Sequence, residues 1–280
     1  MNNNERIWSD NSVKVFLILV IVLSAVVETV YIVKGIGPLV FLLMWIPGLS
    51  SLIANIVSIK EKNEKLTVRQ FLRRLGYRRS KIIYILLGAL IPLVYLLIPY
   101  MVYWKIYPDN FAYSGVPLIL VLKDIMPTMV LGVFIGLISG LGEELGWRGF
   151  MLPALSERIG LKKTLLINSL FWAFWHLPLL IWGGYMDQCP LWYRIPAFIL
   201  CILPMGIICG LLTVESDSIW PSAFLHAAHN NYDQSVFAVI SRGEKLMYYV
   251  SETGVLTIIC VWIIAIIMYI DYRKKHPENQ

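Results

Sequence analysis

Long apolar runs separated by short polar stretches set the pattern of the chain. Crossing a bilayer takes roughly 20 mostly apolar residues. Eight windows have that character: residues 15–33, 37–57, 82–103, 125–145, 165–182, 195–214, 219–240 and 253–270. They predict an all-α, polytopic membrane helical bundle of about eight transmembrane helices, forming a single integral membrane domain over residues 1–280. The run "VPLILVL" from Val116 is too short to span, and it reads as an interfacial or re-entrant piece ahead of the fourth helix. One long polar insert, residues 58–81, interrupts the pattern. Within it Leu66, Phe71, Leu72 and Leu75 alternate with basic residues, as in a short amphipathic helix on a leaflet surface.

Composition agrees with a lipid-embedded fold. The chain is 58% hydrophobic and 15% charged, with a mean hydropathy of +0.68, whereas soluble domains are about half apolar and a quarter charged. The formal net charge of +6 does not indicate nucleic acid, because of where the charge lies. With eight crossings both termini fall on one side, and that side carries 18 of the 24 lysines and arginines. The positive-inside rule then places both termini and the end of the fourth span in the cytoplasm. The same charge suits anionic lipid headgroups. The first span is too long, and lacks the small-x-small site, for a cleaved signal peptide, so it is expected to stay as an anchor. Cys189, Cys201, Cys209 and Cys260 show no paired spacing, which indicates neither a disulfide framework nor a zinc cluster.

Three later segments put polar groups where apolar ones are expected: "GEELGWRG", "NSLFWAFWHLPLL" and "SIWPSAFLHAAHNNYDQS". Ionisable residues at membrane depth are costly, so each is a functional candidate. In a helix Glu144 and Arg148 stand at i and i+4 and can pair, which leaves Glu143 about 100° round the helix without a cation. His226 and Asn230 share a face by the same spacing. His176 precedes Pro178, where the helix is free to bend, and Asp217 or Ser218 is placed to cap the third segment. Gly140, Gly142, Gly146 and Gly149 allow neighbouring helices to approach the carboxylates. A buried carboxylate without its own cation suits a general base, and a histidine beside it can share a water. A His/Asn pair offers N–H donors to an oxyanion. Together these groups suffice for amide hydrolysis without a covalent intermediate.

"EELGWR", "WAFWH" and "HAAHN", taken in order, resemble the CPBP family of intramembrane proteases, which includes type II CAAX prenyl endopeptidases and Abi proteins of bacteriocin processing or immunity. The resemblance covers residues 127–232, taken as the catalytic core; Trp172 stands where that family usually has Phe, and His229 is an extra histidine. It implies an eight-span fold with a conical cavity open to the cytoplasm and cleavage near the cytoplasmic membrane face. It also implies that Glu143 and His176 activate water, that His226 and Asn230 form the oxyanion hole, and that Glu144 and Arg148 hold the geometry. The expected substrate is a peptide or membrane protein, with or without a lipid attached, and no cofactor is expected. A zinc variant held by Glu143, His176 and His226 remains open, although the HExxH pattern is absent from "HAAHN". Two other classes stand beside the protease: a non-catalytic immunity or regulatory protein, and a proton-coupled transporter, which the lack of inverted repeats disfavours.

Overall fold

The computed structural model describes residues 6–277. Its α-helices are α1 (Asp10–Lys34), α2 (Pro38–Glu61), α3 (Val68–Arg74), α4 (Ile82–Ile106), α5 (Leu118–Gly146), α6 (Leu152–Ile159), α7 (Leu161–Trp175), α8 (Leu177–Trp182), α9 (Leu191–Ser216), α10 (Trp220–Asn230), α11 (Leu246–Tyr249) and α12 (Val255–Lys275). Among the described residues, seven helical stretches are long and apolar enough to cross a membrane. α5 and α6 run together as Leu118–Ile159, and α7 and α8 as Leu161–Trp182.

The eighth expected crossing is α10, which has only 11 residues before a π-helical segment, Asn231–Phe237, takes over. It still runs from one end of the bundle to the other. At its start the Ile219 N–H donates to the Gly76 carbonyl (3.1 Å), just before α4; beyond its end the Ile240 carbonyl accepts from Ala112 N–H (2.9 Å), just after α4. α10 and its π-helical continuation therefore lie alongside the whole of α4. Both ends of the chain sit at the insert end. Arg74 Nη2 donates to the Ile7 carbonyl (2.6 Å), and Lys275 pairs with Glu215 (3.5 Å) near the end of α9.

Two local expectations change. "VPLILVL" is not a separate piece, because its residues from Leu118 on form the first turns of α5, with Pro117 as the N-cap. Proline fixes an extended entry and loses no bond there. α3 is capped by a Thr67/Gln70 capping box, but it does not lie wholly on the leaflet. Leu75 just beyond it is buried with Leu145 and Ile219, while Val68 stays 76% exposed.

The bundle is apolar outside. Ile18, Phe134, Ile135 and Ile267 turn outward, as a lipid-facing surface requires. Helices in lipid associate through close packing of small residues more than through apolar burial. At Gly146 an added Cβ would stand 2.4 Å from the Pro47 Cβ, and at Gly142 2.8 Å from the Met44 carbonyl oxygen. Glycine is therefore required where α5 crosses α2. This backbone-to-backbone contact sets the last two turns of α5, and the two carboxylates on them, inside the bundle.

Candidate active site

Glu143 and Glu144 are both buried near the end of α5. The helix then widens into a π-helical turn, Trp147–Met151, before α6; such bulges recur at functional sites because they re-aim side chains without ending the helix. Glu144 Oε1 accepts from Arg148 Nη1 at 2.8 Å, and the side chains of both are fully buried. The Arg148 guanidinium lies 4.5 Å over the Trp172 ring, a desolvated cation–π contact. Glu143 faces elsewhere. Its Oε2 accepts two indole N–H bonds, from Trp172 at 2.7 Å and Trp147 at 3.2 Å, and it has no lysine or arginine partner.

α10 supplies the nearest histidine. Asp217 ends α9 in a left-handed conformation and pairs with Arg78, while Ser218 Oγ accepts from Trp220 N–H at 3.3 Å. Of the two expected caps, only the serine serves the start of α10. One and a half turns on, His226 Nδ1 lies 3.0 Å from Glu144 Oε1, and its Nε2 lies 3.8 Å from Glu143 Oε1. A carboxylate only accepts, so the Nδ1 proton is assigned to the Glu144 contact. Nε2 is then the nitrogen presented to Glu143.

His176 stands at the break between α7 and α8, which Pro178 at the start of α8 enforces. Its Nδ1 donates to the Trp172 carbonyl at 2.8 Å, so Nε2 is the free nitrogen. Glu143, His176, His226 and Asn230 all line one cavity of about 330 Å³. The rest of its wall is largely apolar and aromatic, including Leu43, Trp175, Tyr185 and Phe198.

The cavity's exposed lining residues, Gly184 and Gln234, belong to the end opposite the insert. On the insert side Leu75, Leu145 and Ile219 form a buried apolar cluster. A separate cavity of about 550 Å³ opens at the insert end and reaches Arg148, but none of the four residues above. α5 and α10 carry Glu143, His226 and Asn230 inward from the insert end.

Sequence reasoning missed a second buried polar cluster beside the cavity. His229 Nδ1 bonds Tyr95 Oη (2.9 Å), and its Nε2 bonds Glu252 Oε1 (2.9 Å). Tyr185 Oη donates to Glu252 Oε2 (2.5 Å), and Asp233 accepts from Tyr100 (3.1 Å) and Ser251 (2.6 Å). The one signal was the unmatched His229. Glu252 sits at the edge of the last apolar run, where it reads as a boundary residue. Among the described residues no three His, Cys, Asp or Glu side chains are grouped as a metal site, so Glu143, His176 and His226 do not stand as a ready ligand set.

Comparison with known proteins returns two likenesses. Residues 125–232 match the sequence pattern described as type II CAAX prenyl endopeptidase Rce1-like. The chain is also 30% identical over 250 residues to "CAAX prenyl protease 2" of Methanococcus maripaludis, covering 82% of each sequence.

Proposed function

Because the chain belongs to the type II CAAX prenyl endopeptidase family and is an intramembrane protease, we propose that Glu143, His176, His226 and Asn230 hydrolyse a peptide bond in the cavity between α5, α7, α9 and α10. The observation that carries this is the meeting of all four in one cavity wall, drawn from three separate helical segments. Water held by Glu143 and His176 attacks the carbonyl carbon. Glu143 takes the water's proton and passes it to the free Nε2 of His176, which then delivers it to the leaving amine as the C–N bond breaks. The developing oxyanion is met by His226 Nε2–H and the Asn230 amide. One such donor is typically worth about 2.7–4 kcal/mol.

Charge balance supports these roles. His226 lies between two carboxylates, and Arg148 faces only one of them. With His226 protonated, two anions and two cations share the buried site, and an unpaired charge in lipid is avoided. Protonation also makes Nε2 a donor while Nδ1 stays on Glu144, so Glu144 and Arg148 are positioning residues. The two indole bonds fix the Glu143 carboxylate toward the water. No step requires a metal.

The M. maripaludis relative is named for a prenylated CAAX substrate. The apolar cavity wall here suits a greasy peptide segment, with prenylation as one variant to be tried. Both termini are assigned to the cytoplasm on the basic insert end. The test compares membrane peptidomes of cells making the wild-type chain or Glu143→Gln. Products present only with the wild type, prenylated or not, are expected. Identical peptidomes would refute the assignment of Glu143 and favour a non-catalytic role.

A further inference from the structure

A groove of about 1240 Å³ lies at the insert end, between α3 and the start of α4, and shares no residue with the catalytic cavity. Its lining includes Val68, Arg69, Leu72 and Arg73 of α3, and Tyr77 and Arg79 of the connection to α4. At i and i+4, Val68 and Leu72 make one stripe along α3, and Arg69 and Arg73 make the stripe beside it. The charge here is not compensated. Arg74 pairs with Glu64 and Arg78 with Asp217. Among the described residues no ion pair takes Arg69, Arg73 or Arg79, and all three are exposed.

The apolar part of the groove sets it at a bilayer surface. Val68 is 76% exposed and Leu72 42%. α4 begins at Ile82, and Ile82 and Ile83 turn outward at the start of that crossing. Apolar side chains that stay exposed there, with arginines beside them, match the boundary between acyl chain and headgroup. A guanidinium presents its donors as a fork that fits two phosphate oxygens at once. A free phosphate would engage the arginines and leave Val68 and Leu72 in water. A zwitterionic lipid would bring its own cation to three uncompensated ones. A phospholipid with net negative charge suits both the arginines and the apolar stripe.

We propose that the groove between α3 and α4 binds an anionic phospholipid, its phosphate held by Arg69, Arg73 and Arg79 and its acyl chains laid along Val68, Leu72 and the first turn of α4. The groove is tied to the catalytic helices. Leu75, one residue past α3, is buried with Leu145 of α5 and Ile219 just before α10, and Gly149 abuts the Leu75 carbonyl. A lipid seated on α3 therefore bears on the ends of the two helices that carry Glu143 and His226.

Native mass spectrometry of the purified full chain tests this by counting what is retained during titration with dioctanoyl phosphatidylglycerol, dioctanoyl phosphatidylcholine or inorganic phosphate. The first phosphatidylglycerol should bind the wild type at concentrations where the other two do not. Arg69→Gln/Arg73→Gln/Arg79→Gln should weaken that binding roughly 100-fold, because each arginine near a lipid surface adds about fivefold. Should this variant not accumulate, Arg69→Gln/Arg73→Gln is expected to lose roughly 30-fold on the same basis. Lys162→Gln/Lys163→Gln/Lys274→Gln removes as much charge from exposed positions at the insert end and should bind as the wild type does. Unchanged phosphatidylglycerol affinity in the arginine variants, or an equal loss in the lysine variant, would overturn the proposal. So would wild-type binding of phosphatidylcholine or phosphate as tight as that of phosphatidylglycerol. No residue of the proposed protease site is altered, so the lipid site stands or falls independently of Glu143.

Discussion

At the residue scale the site depends on one carboxylate, Glu143, that is held by two indoles and faces His226 rather than an arginine. Trp172 stands where the resembled family usually has Phe, and its N–H is the shorter of the two bonds to Glu143. Hydrogen bonds to charged groups are worth about 1.5–3 kcal/mol. Trp172→Phe should therefore fold normally and lose roughly tenfold or more in kcat, with KM little changed, in a reporter-peptide assay. Unchanged kcat would reduce Trp172 to packing. Arg148 makes a different case. Arg148→Met leaves buried Glu144 with His226 alone, and loss of the arginine from the buried pair is expected to cost about 3–5 kcal/mol and to appear as a lower melting temperature in detergent. Glu144→Gln/Arg148→Met should recover most of that stability without recovering activity. Equal melting of the wild type and Arg148→Met would contradict the pairing. The spacing of "EELGWR" made this pair readable. The indole bonds were not readable, because Trp172 reaches Glu143 from 29 positions away in the chain and no local period records such a contact.

Elements carry these residues into place. α5 approaches α2 so closely at Gly146 that a methyl group has no room. Overpacking of this kind typically costs about 1–3 kcal/mol. Gly146→Ala is thus expected to lower both thermal stability and cleavage. Gly37→Ala, at a position with open space around it, should change neither; equal behaviour of the two variants would refute the close-contact account. The glycines were visible in the sequence as a group, but which of them touch α2 was not. Apolar length identified the crossing helices well. It failed at "VPLILVL", because hydropathy cannot tell an extra turn of one helix from a separate short piece. At residues 219–240 apolar length predicted one full crossing, where the structure has the 11-residue α10 and a π-helical continuation.

For the whole molecule, the polytopic helical bundle was legible in apolar length, which found seven helices long and apolar enough to span, among the described residues. The direction of the cavity was not legible. It depends on which loops pack over α5 and α10, and Leu145 of α5 meets Leu75 before α4 and Ile219 after α9. The cluster around His229 and Glu252 was hidden for the same reason, since its members come from α4, α10 and the loops at the far end. The zinc alternative is tested on the whole protein. Purified protein treated with a strong chelator should keep its turnover, measured with the same reporter peptide. Loss of turnover that is restored by stoichiometric zinc would replace the metal-free mechanism.

The central claim is that Glu143 activates the water that cuts the peptide. Its most direct measurement is single-turnover cleavage of an apolar reporter peptide by purified wild type and Glu143→Gln with matched melting temperatures. General-base loss predicts a fall of about 10²–10⁴-fold in the cleavage rate with peptide binding retained. A Glu143→Gln protein that cleaves at the wild-type rate would contradict the account.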